Sequence, residues 1–430
     1  MSGKRWLFLC SLLAVLSMAF SACGSQNGQS TNGTIIVKLF FHSGQGPERS
    51  ALNATLNAFN AANQNIKVKA VELPTGSYNQ QVNAAALARQ LPCLLDFDGP
   101  NLYNYAWSSY LIPLEKYVSA SMKADFLPSI IQQGTYNGHL YSLGQFDSGL
   151  SFYAKKKDLQ EAGVRIPTIN RPWTLDELNS ALARLKKLPG IQYPLNLSMS
   201  VPGEWYTYAF SPFLQSFGGD LINRQTYQTA TGVLNGSDAV AAMTWFQELF
   251  KQGYVNVKPA ITDDFIAGNA ALSWGGHWNY PDYKALGTNL LLLPAPDLGK
   301  GARTGMGSWN WGITSSCANP DAAWKVLNFI LSPGEIKRMT DANGAVPARK
   351  SVIANAPLYA PHGPLRVFVE QLENGIAVPR PATPAYPAIT TAFATAIANI
   401  SIGANVQSEL NSATQAIDQN IKDNNGYPIK

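Results

Sequence analysis

Apolar and polar positions along the chain fall into two alternating periods. Ile35-Ile36-Val37-Lys38-Leu39-Phe40-Phe41 is β-branched and aromatic almost throughout, the composition of a strand buried on both faces. Pro47 then suits the first turn of a helix in which Leu52, Leu56 and Phe59 recur at helical spacing. Ile66-Lys67-Val68-Lys69 alternates as a second strand, a further helix carries Tyr78, Val82 and Ala85-Ala86, and Leu94-Leu95-Asp96-Phe97 makes a third strand. Strand, helix, strand, helix, strand at this spacing predicts a parallel α/β sheet.

A second set begins near Leu150, with Leu150-Ser151-Phe152-Tyr153 as a strand. Thr174 and Glu177 form a capping box before Leu178, Leu182 and Leu185, and Ser237 is placed to cap a helix displaying Val240, Met243, Phe246 and Phe250, closed by Gly253. Strands are predicted over Ala270 to Trp274, Leu290 to Leu293 and Trp311 to Thr314. Asn319 caps the next helix, with Pro320 in its first turn and Ala323, Leu327 and Ile330 facing inward. Trp274 and Trp311, each inside a predicted strand, read as core. No repeat of 20 to 50 residues appears, so a solenoid or propeller is excluded.

The amino terminus breaks this pattern. Lys4-Arg5, an apolar run from Trp6 to Phe20 and the small-residue exit Ser21-Ala22-Cys23 form an export signal rather than a permanent span. Phe20-Ser21-Ala22-Cys23-Gly24 resembles a bacterial lipobox, which makes residues 1–22 a lipoprotein signal peptide and Cys23 the lipidated first residue of the mature chain. Residues 23–33 have almost nothing to bury and read as a flexible tether.

The whole chain has 430 residues and a formal charge of +5, and loss of Lys4 and Arg5 with the signal leaves an excess of three positives. Lys and Arg are scattered apart from Lys155-Lys156-Lys157, which reads as a solvated face, so nucleic acid is not an expected partner. Only 14% of residues are charged but 11% are aromatic, and that aromatic surplus needs a use. With Cys10 removed and Cys23 lipidated, Cys93 and Cys317 remain. In an exported protein they form either a structural bridge or two buried thiols, and their surroundings lack metal-ligand spacing.

Catalytic signatures are missing. There is no H-E-x-x-H, G-x-S-x-G, G-x-x-x-x-G-K-[ST] or G-x-G-x-x-G, so no metal or nucleotide cofactor is expected. Paired carboxylates are the remaining option: Asp98 and Asp147 could hydrolyse a glycoside if they stood roughly 5 to 9.5 Å apart. The same two acids could equally accept hydrogen bonds from sugar hydroxyls.

The order of the motifs resembles the extracellular solute-binding proteins of ABC transporters, in particular the maltose and multiple-sugar group called family 1. The resemblance spans nearly the whole mature chain. It rests on FNAANQNIKVKAVE after the first strand, YLIPLEKYV, NGHLYSLGQFDSGLSFYAKKKDLQEAGVRIP, RPWTLDELNSALARLKKL, DDFIAGNAALSWGGHW, ITSSCANPDAAWKVLNFILSPGE and GAVPARKSV. LPCLLDFD departs by placing Cys93 where the family usually has Pro-Asp, and Lys-Lys-Lys stands in place of a Tyr-Asn-Lys-Asp turn.

The resemblance implies an α/β, two-lobe periplasmic-binding-protein-like fold of class II, with the ligand gripped between lobes joined by crossing hinge strands. The N-terminal lobe would comprise residues 34–146 and 309–350, and the C-terminal lobe residues 147–308 and 351–430. The returning strand would lie antiparallel beside the third strand, bringing Cys317 to Cys93 as a disulfide. The implied function is capture of an extracellular mono- or oligosaccharide and delivery to permease subunits by a lipid-anchored monomer on the outer face of the membrane, without chemistry on the ligand. A secreted carbohydrate-active enzyme and a sensor or adhesion lipoprotein on the same scaffold are the alternatives.

Sugars present apolar C–H faces and a rim of hydroxyls, so their sites combine aromatic platforms with polar groups. The expected ligand-binding set is His42, Ser43 and Gln45 after the first strand, Asp98 after the third, Asp147 at the first crossing, Glu204, and the rings of Trp205, Tyr206, Trp278 and Trp309. Asn101, Tyr103, Tyr105 and Arg380 are further candidates near the cleft.

Overall fold

The structure is a computed structural model that describes residues 33–259 and 263–429. The signal peptide, Cys23 and all but the last residue of the tether lie outside the described residues. Strands β1 (Ile35–His42), β2 (Ile66–Leu73) and β3 (Leu94–Asp98) are parallel, with β1 in the middle and helices α1 (Gly46–Ala62) and α2 (Tyr78–Leu87) as crossovers. The sheet continues beyond β3 through Trp309–Ile313, which runs antiparallel with Trp309 opposite Asp98 and Ile313 opposite Leu94, and then Ser142–Gly144. This strand starts two residues earlier than the apolar run suggested, because Trp309 and Asn310 find partners in Asp98 and Phe97.

Burial of β1 is one-sided, which corrects the expectation from its composition. Val37, Leu39 and Phe41 are buried against Leu52, Leu56 and Phe59 of α1, whereas Lys38 is exposed and Phe40 half-buried. The other face receives only the shorter α2, through Tyr78 and Val82, so part of it stays in contact with solvent. The antiparallel pairing also explains the disulfide: Cys93 precedes β3, Cys317 follows its neighbour, and their Cα atoms stand 4.3 Å apart across a bond between residues 224 apart in sequence.

The second sheet has the order Leu290–Leu293, Leu150–Lys155, Leu272–Gly276, Leu195–Asn196. Leu150–Lys155 is antiparallel to both neighbours. Its core is packed by the helices Leu175–Leu185, Glu204–Ser216, Ser237–Lys251, Tyr386–Ser401 and Val406–Asp423. Thr174 and Glu177 make the reciprocal capping box, and Leu178, Leu182 and Leu185 are buried beneath it. Ser237 is not a cap: Gly236 holds that position and Ser237 begins the helix. Lys155 ends its strand with its ammonium over the Phe265 ring, leaving only Lys156 and Lys157 exposed.

Hydrophobic burial falls mainly into two cores, one drawn from residues 35–146 and 311–352 on both faces of the first sheet and one from residues 150–298 and 385–421, with a smaller cluster that joins Val346 to Tyr153, Phe265 and Phe368. Short pairings stitch the segments between them: Phe146–Asp147 with Val346–Pro347, and Thr304–Met306 with Ala377–Pro379. At the rim of the seam, Trp107 Nε1 donates to the Pro428 carbonyl at 2.9 Å and its ring meets Tyr427 edge-on at 5.0 Å. Among the described residues no helix is long and apolar enough to cross a membrane.

Candidate functional site

β1 and β3 end at the seam, and their last residues carry charge because open α/β sheets place polar groups at strand carboxyl ends. His42 ends β1. Its ring lies flat on Trp309 at 3.5 Å and 9°, and Tyr78 meets Trp309 edge-on at 5.3 Å. The His42 Nδ1 bonds Asp96, and Nε2 stands 3.6 Å from Glu48. Burial alone would lower the pKa of His42, but Asp96 and then Glu48 outweigh it and raise it to about 10, so the ring is an imidazolium between two acids. Glu48 ends below the usual carboxylate range, because its bond to His42 offsets the upward push of burial. A cavity of about 10 Å³ beside this group has room for little more than one water.

The second core contributes aromatic faces. Strand Leu272–Gly276 ends in two glycines, and a Cβ at Gly276 would lie 2.2 Å from the Trp278 ring, so a bare backbone lets that ring fold back onto the strand end. Helix Glu204–Ser216 places Trp205 and Tyr208 on the same side, one turn apart. Trp205 meets Trp278 edge-on at 5.9 Å, and Tyr208 lies 6.2 Å from Trp278. Trp205 Nε1 donates to the Leu197 carbonyl at 3.0 Å, which fixes the ring's orientation.

Between these two halves lies Arg380. Its Nη1 donates to Asp98 Oδ2 and to Glu204 Oε1, each at 2.5 Å, and Nη2 donates to Asp98 Oδ1 at 2.6 Å. The guanidinium carbon sits 4.7 Å from the centre of the Tyr208 ring. Glu204 also accepts from Tyr386 and, at 2.7 Å, from Thr390. Burial raises the Glu204 pKa against the pull of Arg380.

Asp147 forms the floor and is fully buried. Its Oδ1 accepts from the Ser148 backbone at 2.9 Å, from the Gly307 backbone at 3.3 Å and from Gln133 at 3.4 Å, and Ser129 adds a further side-chain hydrogen bond to the carboxylate. Burial pushes its pKa up. Asn310 is buried nearby, between Gly99 and Gly144, with neither amide atom paired, and Arg380 Nε is likewise unpaired. The Asn310 amide and Arg380 Nε are thus buried polar atoms without protein partners.

The expected residues therefore separate into groups. Asp98, Glu204, Trp205, Trp278 and Trp309 come together at the seam, with Asp147 below them. His42 is there too, but its nitrogens are engaged by Asp96 and Glu48. Ser43 is half-buried and shares its hydroxyl with Thr75 at 3.1 Å, and Gln45 is exposed at the start of α1 without a capping bond. Tyr206 belongs to the second core: its hydroxyl donates to the Met199 carbonyl at 2.7 Å and its ring packs on Phe210. Gln133, Tyr208, Asn310 and Asp96 were not anticipated. For Tyr208 a signal existed, since it stands four residues after Glu204 on one helix face. Among the described residues no three His, Cys, Asp or Glu side chains are placed to hold a metal.

His277 provides a pH marker for the seam. It follows the strand of the second core, and its Nδ1 donates to the Asn343 carbonyl of a helix packed in the first core, at 2.8 Å. Burial lowers its pKa to about 4, so the native ring is neutral. Since the unfolded ring titrates near 6.5, the unfolded chain takes up the extra proton and stability falls as pH drops from 6.5 towards 4, by on the order of 3 kcal/mol. His277→Asn keeps a donor but not the titration, and is expected to flatten that limb of a melting-temperature profile. Parallel profiles for the two proteins would refute the assignment.

The chain is similar to known proteins in sequence and in fold. Residues 54–362, more than half of the chain, match the family model for bacterial extracellular solute-binding proteins. An uncharacterized lipoprotein from the oleD 5′ region of Streptomyces antibioticus is 21% identical over 366 residues, 82% of this chain and 78% of that protein. The fold is similar to that of the GacH receptor of Streptomyces glaucescens, solved unliganded and with acarbose (TM-score 0.76, 22% identity, 90% of this chain and 97% of that one). It is also similar to the cyclic α-maltosyl-1,6-maltose binding protein of Arthrobacter globiformis (0.71, 23%, 91% and 100%). A third similar structure is an ABC substrate-binding protein of Listeria monocytogenes in complex with cycloalternan (0.78, 16%, 90% and 99%).

Proposed function

Because the chain belongs to the bacterial extracellular solute-binding proteins, we propose that it captures a mono- or oligosaccharide between its two halves and delivers it to the permease subunits of an ABC importer. The observation that carries this reading is the continuous run from the aromatic faces of Trp205, Trp278 and Tyr208 to the polar groups Arg380, Asp98 and Glu204. Flat rings accept the apolar faces of a pyranose, and charged hydrogen-bonding groups accept its hydroxyls. The unpaired amide of Asn310 offers both an acceptor and a donor, which suits hydroxyls better than an anion. The solutes named for the similar structures, acarbose and cycloalternan among them, support the same class.

The protein is a binding component and not an enzyme. Asp98, one of the two acids a hydrolase would need, is held bidentately by Arg380. It works outside the cytoplasm; the lipobox-like segment supports anchoring through Cys23, and a monomer whose lobes divide near residues 147, 308 and 350 completes the proposal. Isothermal titration of the purified mature chain against mono-, di- and oligosaccharides is expected to give a saturable heat with at least one sugar. Binding of another solute class with none of the sugars would overturn the reading. Secretion of the Cys23→Ser protein into the medium, in place of membrane retention, tests the anchor.

A further inference from the structure

Trp205 is oriented by a hydrogen bond from its indole N–H, whereas Trp309, its counterpart beside the first core, is held by rings. His42 lies flat against the half-buried indole at 3.5 Å and 9°, and Tyr78 of α2 meets it edge-on at 5.3 Å. The His42 ring is itself clamped. In the parallel pairing of β1 with β3, Leu39 stands opposite Leu94 and Phe40 opposite Leu95, which brings Asp96 to the end of β1. Asp96 bonds Nδ1 and also accepts from the His42 backbone N–H at 3.3 Å, while Glu48 in the first turn of α1 stands 3.6 Å from Nε2. With an acid at each nitrogen, the ring cannot turn without unpairing a buried charge, which is strongly unfavourable. His42, Asp96, Glu48, Tyr78 and Trp309 all come from the first sheet and its two crossover helices, so the arrangement is internal to one half of the molecule.

His42 is 8% exposed and both its nitrogens face acids, so it has little to offer a solute directly. We infer that His42 is a positioning residue for solute binding that acts through Trp309: fixed by Asp96 and Glu48, it sets the plane in which the indole meets a sugar. The inference rests on the reading that a sugar binds at this seam. An indole backed by a fixed ring cannot tilt freely, so stacking a sugar on it does not carry the cost of ordering the side chain. A cation against the π face adds attraction that keeps the two rings in register. The charged and titratable groups around the His42 ring are Asp96 on β3, Glu48 and Arg49 on α1, Tyr78 on α2 and, acting on Glu48, His277 of the second core.

The test uses the full mature chain, kept in solution by Cys23→Ser. An imidazolium stacked on an indole quenches its fluorescence, so Trp309 emission, taken as the difference between each protein and its Trp309→Phe counterpart, should be near zero in the parent. His42→Ala and His42→Phe should each restore it. In Asp96→Asn it should rise with pH, because the acid that raises the His42 pKa most is gone, whereas the parent stays dark between about pH 7 and 9 with its imidazolium persisting to about 10. Titration calorimetry with maltotriose, or with the tightest of the other sugars in the panel, supplies the second readout. His42→Ala is expected to weaken binding about 10-fold and His42→Phe, which keeps a flat ring, to stay within about 3-fold of the parent, while in a Trp309→Ala background His42→Ala should cost nothing further. Circular dichroism establishes that each variant is folded, and if the His42 variants are not, the emission of Asp96→Asn decides. Trp309 emission unchanged in these variants, affinity untouched by His42→Ala, or losses from His42 and Trp309 that simply add would each overturn the inference. A panel in which no sugar binds removes the solute reading and with it the role assigned to this platform, and the emission then still shows whether His42 holds Trp309.

Discussion

Trp278→Ala is expected to weaken sugar binding about 30-fold, the equivalent of roughly 2 kcal/mol for one stacked and buried ring face. The ring is half-buried, meets Trp205 and Tyr208, and lies at the strand end that borders the seam. A separate substitution makes the test specific. Gly276→Ala removes no group that could touch a sugar, yet its Cβ would lie 2.2 to 2.6 Å from three atoms of the Trp278 ring and must expel it. Most of the loss should therefore recur in Gly276→Ala, with stability changed less than affinity. Titration calorimetry with the sugar selected by the panel measures both, and two variants that bind like the parent would place the ligand away from this ring.

Removing the Cys93 to Cys317 bridge is expected to produce the largest loss of stability. The two cysteines are 224 residues apart, and loop-closure entropy for so long a segment corresponds to about 5 kcal/mol, with 2 to 5 kcal/mol usual for native bridges. The bridge closes the end of the antiparallel pair formed by β3 and Trp309–Ile313, where the Thr314 backbone also donates to the Cys93 carbonyl at 3.0 Å. Its loss frees the whole intervening chain in the unfolded ensemble and leaves the first core held by packing and by the hydrogen bonds of its sheet. Calorimetric melting of the Cys93→Ser, Cys317→Ser double variant should show a drop of several degrees, and added reductant should shift the parent in the same direction. Melting that is insensitive to both changes would mean the bridge contributes nothing.

Elements set by local pattern were legible in the sequence. The helical spacing of Leu52, Leu56 and Phe59, the capping box at Thr174 and the apolar run at Leu290 each matched their structure within a residue or two. Departures arose where a neighbour distant in sequence decided the outcome. β1 is apolar enough for burial on both faces, yet α2 is too short to cover the second one. The exception is local: Ser237 has a capping side chain, but the adjacent Gly236 takes the cap position.

The site shows the same division. Asp98, Glu204, Trp205, Trp278 and Trp309 could be nominated because strand ends and aromatic residues near them are visible in the sequence. Their relation to one another could not. Arg380 meets Asp98 across 282 residues and Glu204 across 176, and no periodicity links such positions. His42 reads as a free polar group until β3 brings Asp96 beside it and α1 turns Glu48 towards it.

By itself, then, the sequence determined the α/β alternation, the exported class and the types of residue available for the proposed site, because these follow from hydrophobic period and side-chain chemistry along the chain. Tertiary structure alone decided which carboxylates are engaged, which ring folds back over a glycine, and that one arginine spans both halves. Those outcomes depend on distances between segments, and a hydrogen bond or a buried charge pair acts over only a few ångströms of space, whatever its separation along the chain.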